Sequence, residues 1–316
     1  MSLMQRDRTK GENKVVNIVT HFIRITLRMP LRLAVIRALK KIGCNFLWLR
    51  KLDFCLSPDF KRPAKSSLIL LNSMEEISFD RHLLKHIVPK STVMEIGCGK
   101  YLGLAPLSFC LGAKNYIGVD PYHDTEVVNS NEARAKFLTA ALQETNQVLS
   151  SSDLIKVGVK KSYDRNKIDK FFETCSFISQ NIDKVQLKSQ VDVCFSISCL
   201  EHIQNFGQAA ETLANVSHSK TVHYHIVNFS NHISKLQPFG ELYEHPYEVF
   251  AKKWNNNING LRISDMLSHF DGTGLKMRSI IVEKNIDLLP ETIDDYWLTK
   301  YTKEELATRV VILTNL

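Results

Sequence analysis

Short apolar runs recur along the chain and alternate with segments in which apolar residues repeat at helical spacing. The most apolar run, 191–198, is typical of a strand that is covered on both faces. The predicted strands are 92–96, 115–119, 176–182, 191–198, 220–229, 275–283 and 308–314. The predicted helices of this part are 74–88, 102–111, 131–149, 167–174, 205–216 and 264–270. Because strands and helices alternate, the pattern predicts an α/β fold with a mostly parallel sheet and helices on both faces.

The stretch from Val93 to Asp120 joins the first predicted strand to a glycine-rich turn, a short helix and the second strand, which an acid follows. The turn contains Gly97, Gly99 and Gly103. Glycines allow a ligand to approach the backbone closely, and a carboxylate after the second strand can accept both hydroxyls of a ribose. This unit predicts a nucleoside-binding site.

Glu95 lies inside the first strand, two residues before Gly97. A dinucleotide places a negative pyrophosphate over the helix N-terminus, where an acid is unfavourable, whereas a cationic ligand tolerates one. With Asp120 at the end of the next strand, Glu95–Gly99 resembles the E/D-x-G-x-G motif of the class I S-adenosylmethionine (SAM)-dependent methyltransferases. Another hypothesis for such a unit is an NAD(P) oxidoreductase. Glu95 and the lack of an arginine directly after Asp120 disfavour it.

This resemblance implies a Rossmann-like, seven-stranded, mostly parallel sheet whose last hairpin places one strand antiparallel. It also implies S-adenosyl-L-methionine as cofactor. An acid or amide after the third strand often bonds the adenine amino group in this superfamily, and here the spacing does not choose between Asn181 and Asp183. The residues expected to bind the cofactor are Glu95, Gly97, Cys98, Gly99, Asp120, Asn181 and Glu201.

The segment Cys199–His202 directly follows the fourth strand, where ligands of open α/β sheets bind, and it resembles the L-E-H segment of the same superfamily. A hydroxyl acceptor would need a general base in addition to the positioned methyl donor. The candidate catalytic bases are His202, His225 and His232. The sequence shows no compelling set of metal ligands, so no metal is predicted.

The acceptor is expected to bind at the loop 230–260, which is rich in aromatic, histidine and asparagine residues. Asn231–His232 and 259–265 resemble segments of bacterial methyltransferases associated with glycan modification. The [DN]-P-P-[YF] motif of nucleobase amino-methylation is absent from the sequence. O-Methylation of a sugar, glycan or other small-molecule hydroxyl is therefore the predicted reaction.

Charge divides the chain of 316 residues into two predicted parts. Residues 1–52 carry twelve Lys or Arg and two acids, which gives +10, so the remainder of the +8 chain is 8 − 10 = −2. The predicted organisation is a basic helical extension over 1–60 and a methyltransferase domain over 61–316, with a long insertion at 121–175. Nucleic-acid binding needs an excess of positive charge to neutralise phosphates, and the residues outside the extension have a net charge of −2. No nucleic-acid partner is therefore expected.

The basic extension, with predicted helices at 15–29 and 31–42, could cover the active site, pack on the domain or contact an anionic membrane surface. A non-catalytic SAM-fold module associated with a membrane surface is accordingly the alternative function. No signal peptide and no run of about 20 apolar residues is found. Since the seven cysteines form no C-x-x-C pair, a cytoplasmic location is expected, with peripheral contact to the inner face of a membrane left open.

Overall fold

A sheet of seven strands lies at the centre of the structure. The strands are β1 Thr92–Ile96, β2 Asn115–Val119, β3 Cys175–Ile178, β4 Val191–Ile197, β5 Ser217–Asn228, β6 Arg278–Lys284 and β7 Thr308–Thr314. Their order across the sheet is β3-β2-β1-β4-β5-β7-β6. β7 is antiparallel to both of its neighbours, and the other pairs are parallel. The predicted sheet is therefore confirmed, including the antiparallel strand of the last hairpin.

The computed structural model describes residues 62–100, 102–123, 131–155, 165–187, 189–254 and 257–316, with the backbone alone at 131–136 and 165. The predicted extension 1–60 and the part of the insertion around 124–130 and 156–164 lie outside the described residues. The described helices are α1 Arg62–Glu76, α2 Leu84–Ile87, α3 Ala105–Cys110, α4 Asn131–Ser151, α5 Arg165–Thr174, α6 Phe206–Val216, α7 Tyr247–Trp254, α8 Ile263–Gly272, α9 Asp295–Lys300 and α10 Lys303–Leu306. None of them is both long and apolar enough to cross a membrane.

Helices cover the sheet on both faces, because successive residues of each central strand point to opposite sides. On one face the Tyr224 hydroxyl of β5 lies 3.1 Å from the Ser73 hydroxyl of α1. On the other face, apolar residues of β1, β2 and β4 pack against α6 and α8 in one core that includes Leu213 and Phe270. β1 and β4 are thus buried on both sides, as their apolar sequences predict.

The helix predicted over 74–88 is wrong in part, because the structure has two helices with a non-helical segment at 77–80 between them. α1 runs from Arg62 to Glu76, with Pro63 in its first turn, where a missing N–H costs no helical hydrogen bond. The chain then turns at Ser78, whose φ is +55°. Asp80 starts a separate 3₁₀ turn by accepting a hydrogen bond from the His82 N–H.

The loop predicted over 230–260 is also wrong in part, because it contains α7. Phe250 and Trp254 of this helix pack with Phe239, Tyr243 and Trp297 in an aromatic cluster. α8 begins one residue before the predicted helix 264–270, and its N-cap is Arg262. α9 and α10 were not predicted, since helices of six and four residues are too short for a periodic apolar pattern to show.

Candidate functional site

Four parallel strands bring their carboxyl ends to one edge of the sheet. β1 ends at the glycine-rich turn, β2 ends before Asp120, β4 ends before the turn Leu200–His202, and β5 ends before the segment that carries His232. In open α/β sheets this edge is where ligands bind. The residues predicted to bind the methyl donor and those predicted to activate the acceptor therefore come from neighbouring strands.

Glu95 holds the glycine-rich turn from inside β1. Its side chain is buried, and its Oε2 accepts hydrogen bonds from the Leu104 N–H at 2.6 Å and from the Tyr116 hydroxyl. Gly103, at φ +45°, leaves room for this carboxylate, since a Cβ there would lie 2.3 Å from Oε2. Glu95 thus orders the glycine-rich turn by accepting a hydrogen bond from the backbone of the turn. Its carboxylate is buried and does not reach the open side of the turn, where a ligand would bind.

The burial of Glu95 should make stability depend on pH. Burial raises the pKa of Glu95 from 4.5 to about 7, against the effect of its hydrogen bonds from Tyr116 and Leu104. Since the folded protein then retains a proton that the unfolded chain releases, the free energy of unfolding should fall as pH rises from 4.5 to about 7.

Glu95→Gln removes this titration and keeps the shape of the side chain. Between pH 4 and pH 8, the free energy of unfolding of the variant should therefore rise by about 3 kcal/mol relative to that of the wild type. Urea denaturation across this range measures the difference, and a difference independent of pH would contradict the prediction.

Asp120 binds the same turn from the neighbouring strand. Its Oδ2 accepts the Gly99 N–H at 2.8 Å, and its Oδ1 accepts the Tyr122 N–H at 2.7 Å. Each carboxylate oxygen keeps a second lone pair, so the group can still accept hydroxyl donors. Gly99 has φ +63°, and a Cβ added to it would meet no atom of the described residues within 4 Å, so the described part of the chain leaves open space beside this carboxylate.

Two other predicted cofactor residues occupy different surroundings. The Cys98 side chain is buried below the turn, where a Cβ on Gly118 would lie 2.8 Å from its sulfur. Only the backbone of Cys98 is therefore available to a ligand. Asn181 is exposed three residues after β3, and its side chain does not cap the following 3₁₀ turn. The half-buried Asp183 lies within that turn, so both alternatives remain at this edge.

Glu201, His202 and His232 come together after β4 and β5. The two imidazole centroids are 4.9 Å apart, and His232 Nε2 lies 3.7 Å from Glu201 Oε1. Glu201 has no exposed surface, whereas both histidines are exposed. Burial raises the pKa of Glu201 to about 8. The chain reverses at His232, which has φ +55°, and this conformation returns the imidazole towards the turn after β4.

His225 is not part of this group. It lies in the core with no exposed surface, and its ring stacks on Phe270. Its Nδ1 is 2.9 Å from the Ser196 hydroxyl, its Nε2 is 3.3 Å from His223 Nδ1, and His223 Nε2 is 2.9 Å from the Ser217 hydroxyl. Burial lowers the pKa of both rings. Since both nitrogens of His225 are bonded within the core, we do not keep it as a candidate base.

Sequence reasoning missed Asn259, which fixes the turn carrying Glu201 and His202. Its Nδ2 donates to the carbonyl oxygens of Leu200 at 2.8 Å and Ile203 at 3.0 Å, and its N–H donates to the Glu201 carbonyl at 2.8 Å. Asn259 belongs to the run 259–265 that the resemblance singles out, so a signal was present.

Sequence reasoning also missed His123, which contacts the glycine-rich turn. Its Nδ1 is 3.1 Å from the Gly99 carbonyl oxygen, and its ring stacks on Phe177 at 4.4 Å. Only its position three residues after Asp120 could have drawn attention to it. His123 therefore adds a second side-chain contact, besides Asp120, to the backbone of Gly99.

Comparison with models of known families and with curated proteins gives no match. Among solved structures, the chain is similar to a SAM-dependent methyltransferase from Mesorhizobium loti, with 13% identity and a TM-score of 0.39 over 72% of this chain and 91% of that one. It is also similar to a TehB-like SAM-dependent methyltransferase from Corynebacterium glutamicum, with 8% identity and a TM-score of 0.37 over 79% and 96%. The YcgJ protein from Bacillus subtilis gives 12% identity and a TM-score of 0.38 over 73% and 94%. The function must therefore be inferred from the chain's own residues.

Proposed function

We propose that the protein is a SAM-dependent methyltransferase that methylates a hydroxyl group of a sugar, glycan or other small molecule. The observation that carries the proposal is the hydrogen bond from Gly99 to Asp120, which joins a glycine turn to an acid on the adjacent parallel strand. The sheet order and the antiparallel β7 agree with the fold that the class I resemblance implies.

The residues on this edge fit the proposed ligand. The open space beside Gly99 and the free lone pairs of Asp120 suit a ribose, and Glu95 keeps the turn in its shape from below. S-Adenosylmethionine would supply a methyl group on a positively charged sulfur, and attack by an acceptor oxygen forms the O–C bond while the C–S bond breaks and the hydroxyl proton leaves. The chain's contribution is to orient both reactants and to exclude water between them.

The acceptor would lie against His202 and His232, which are exposed beside the edge that holds Asp120. Imidazole groups can bind a hydroxyl and take up its proton. The sequence predicts that aromatic residues of the loop 230–260 line the acceptor site. Phe239 and Tyr243 do not line it, because both are buried in the aromatic cluster with Trp297. The same loop also exposes Ile233, Leu236 and Tyr247. The proposed acceptor site would therefore be lined by apolar as well as polar side chains.

Asp120→Ala should weaken SAM binding by about 1.5–3 kcal/mol, or roughly 10- to 150-fold, because it removes a charge-assisted contact to the ribose. Isothermal titration of the full chain with SAM measures the change. Asp271→Ala, which removes a carboxylate on the surface of α8 that pairs with Lys276, is the matched control and should bind as the wild type does.

Unchanged affinity in folded Asp120→Ala protein would contradict the cofactor assignment. Incubation of the wild type with SAM and a panel of sugars and other alcohols then tests the reaction through formation of S-adenosylhomocysteine. SAM binding without product from any of these acceptors would favour the non-catalytic module over the enzyme.

A further inference from the structure

Three potential metal ligands meet at the acceptor side of the sheet edge. Glu201, His202 and His232 each offer one ligand atom, and these atoms all lie within 4.8 Å of one another. Three ligands spread evenly around one ion at about 2.0–2.2 Å lie about 3.5–3.8 Å apart. Side-chain movements of up to about 1 Å would therefore bring the three groups to coordination distance.

The hydrogen bonding of His202 prepares one of its ring nitrogens for this role. Its Nδ1 bonds to the backbone carbonyl oxygen of Asn257. A carbonyl oxygen can only accept, so Nδ1 carries the proton and Nε2 keeps its lone pair. Metal-binding histidines are commonly held in this way, with one nitrogen donating to a carbonyl group and the other facing the ion.

Glu201 supplies the second, independent observation. Its side chain has no exposed surface, and its Oε2 has no hydrogen-bond partner among the described residues. Its Oε1 accepts a hydrogen bond from the Asn228 N–H at 3.3 Å and lies 3.7 Å from His232 Nε2. A buried carboxylate with an unpartnered oxygen is costly, and a bound cation offsets that cost.

A second group, Cys194, His223 and His225, also has ligand atoms within 4.8 Å of one another. There the ring nitrogens are already engaged, in a chain that runs from Ser217 through both histidines to Ser196. The two groups therefore differ in the feature that matters for metal binding, because both histidines of the second group use their ring nitrogens in hydrogen bonds within the core.

We propose that Glu201, His202 and His232 bind a divalent transition-metal ion that holds the acceptor hydroxyl. Two imidazoles and one carboxylate leave coordination positions open, and such sites suit ions such as Mn²⁺ and Fe²⁺. In the metal-bound form the two imidazoles are ligands and no longer act as bases. Coordination of the acceptor oxygen makes its hydroxyl more acidic, so its proton passes to water while the oxygen forms the new bond to the methyl carbon and the C–S bond breaks. The role in methyl transfer rests on the proposed function, but the metal site itself does not.

The experiment is a titration of the chelator-treated full chain with Mn²⁺, followed by electron paramagnetic resonance, which reports free Mn²⁺. The wild type should bind one Mn²⁺ per chain. His202→Ala and His232→Ala should each weaken this binding roughly 100-fold. His86→Ala is the matched control, because His86 is exposed on α2, before β1, and should bind as the wild type does.

Thermal melting of each preparation shows that a variant is folded, and titration of each with SAM separates the two proposals. Absence of Mn²⁺ binding by a wild type that binds SAM, or equal Mn²⁺ affinity in all variants, would overturn the metal site alone. Mn²⁺ binding lost in both histidine variants, in a chain that does not bind SAM, would support the metal site and overturn the methyltransferase. If a histidine variant does not fold, Glu201→Gln provides the second test, and it should also lose Mn²⁺.

Discussion

Gly97→Val should abolish SAM binding, with a loss of more than about 1,000-fold in affinity. Gly97 has φ +79°, and a Cβ at this position would lie 2.5 Å from the Cys199 sulfur and 2.6 Å from the Cys199 Cβ. The Cys199 Cβ cannot move without its backbone, so a branched side chain must push the glycine-rich turn away from the turn after β4. Both halves of the proposed site would then lose their relative position.

A double-mutant cycle separates this clash from backbone strain. Gly97→Ala should weaken SAM binding by at least about 100-fold, because positive φ costs about 1–3 kcal/mol and the clash adds to it. Cys199→Gly removes both of the nearest atoms, so Gly97→Ala combined with Cys199→Gly should recover a large part of the affinity. Gly274→Ala is the strain control, since its φ is +85° and a Cβ there would meet nothing within 4 Å.

Isothermal titration with SAM measures the wild type, the single variants and the double variant, and thermal melting reports how far each is folded. Recovery in the double variant would show that the contact between the two turns limits the site. If Gly97→Val binds SAM as the wild type does, the glycine-rich turn is not part of the cofactor site. If the double variant gains nothing over Gly97→Ala, backbone strain at Gly97 and not the contact with Cys199 is the cause.

The strands could be predicted because burial on two faces leaves a simple signal. β1, β2 and β4 are short runs of apolar residues, and their predicted bounds agree with the structure within one residue. Helix bounds before β1 could not be predicted as well, because the residues after Glu76 keep an apolar pattern while the backbone turns at Ser78. That turn depends on a single residue with positive φ, which a periodic pattern does not reveal.

The members of the site could be named from the sequence, but their grouping could not. Strand alternation places His223 and His225 on the same face, which the structure confirms, but the sequence does not say that this face is covered by α8. His232 lies thirty positions after His202, and a turn of the loop with positive φ brings the two rings together. For Glu95 the sequence supplied the acid, while its attachment to Leu104 depends on the folded turn.

The proposed site depends on the turn Leu200–His202, which carries Glu201 and His202. It is a single 3₁₀ turn between β4 and α6, and Ser198, two residues before it, has φ +47°. Such a turn does not hold its two proposed ligands in place unless other segments fix it. Asn259, before α8, is the residue that does so by bonding to the turn at both ends.

Asn259→Ala should therefore lower the free energy of unfolding by about 3–5 kcal/mol, the sum expected for buried carbonyl groups that lose their donors. Its Oδ1 also accepts the Leu261 N–H at 3.0 Å, so the substitution additionally releases the backbone before α8. Asn259→Asp keeps that acceptor but directs a carboxylate at the carbonyl oxygens of Leu200 and Ile203, so it should destabilise at least as much.

Asn215→Ala is the matched control, because Asn215 is exposed on α6, and it should change stability by less than about 0.5 kcal/mol. Urea denaturation gives the free energies, and the Mn²⁺ titration described above gives the state of the turn under conditions in which each variant is folded. Because Asn259 positions Glu201 and His202 without contacting an acceptor, its loss should weaken Mn²⁺ binding while SAM affinity changes less. If Asn259→Ala retains both full stability and Mn²⁺ affinity, the turn is held by its own backbone, and Asn259 is not a positioning residue.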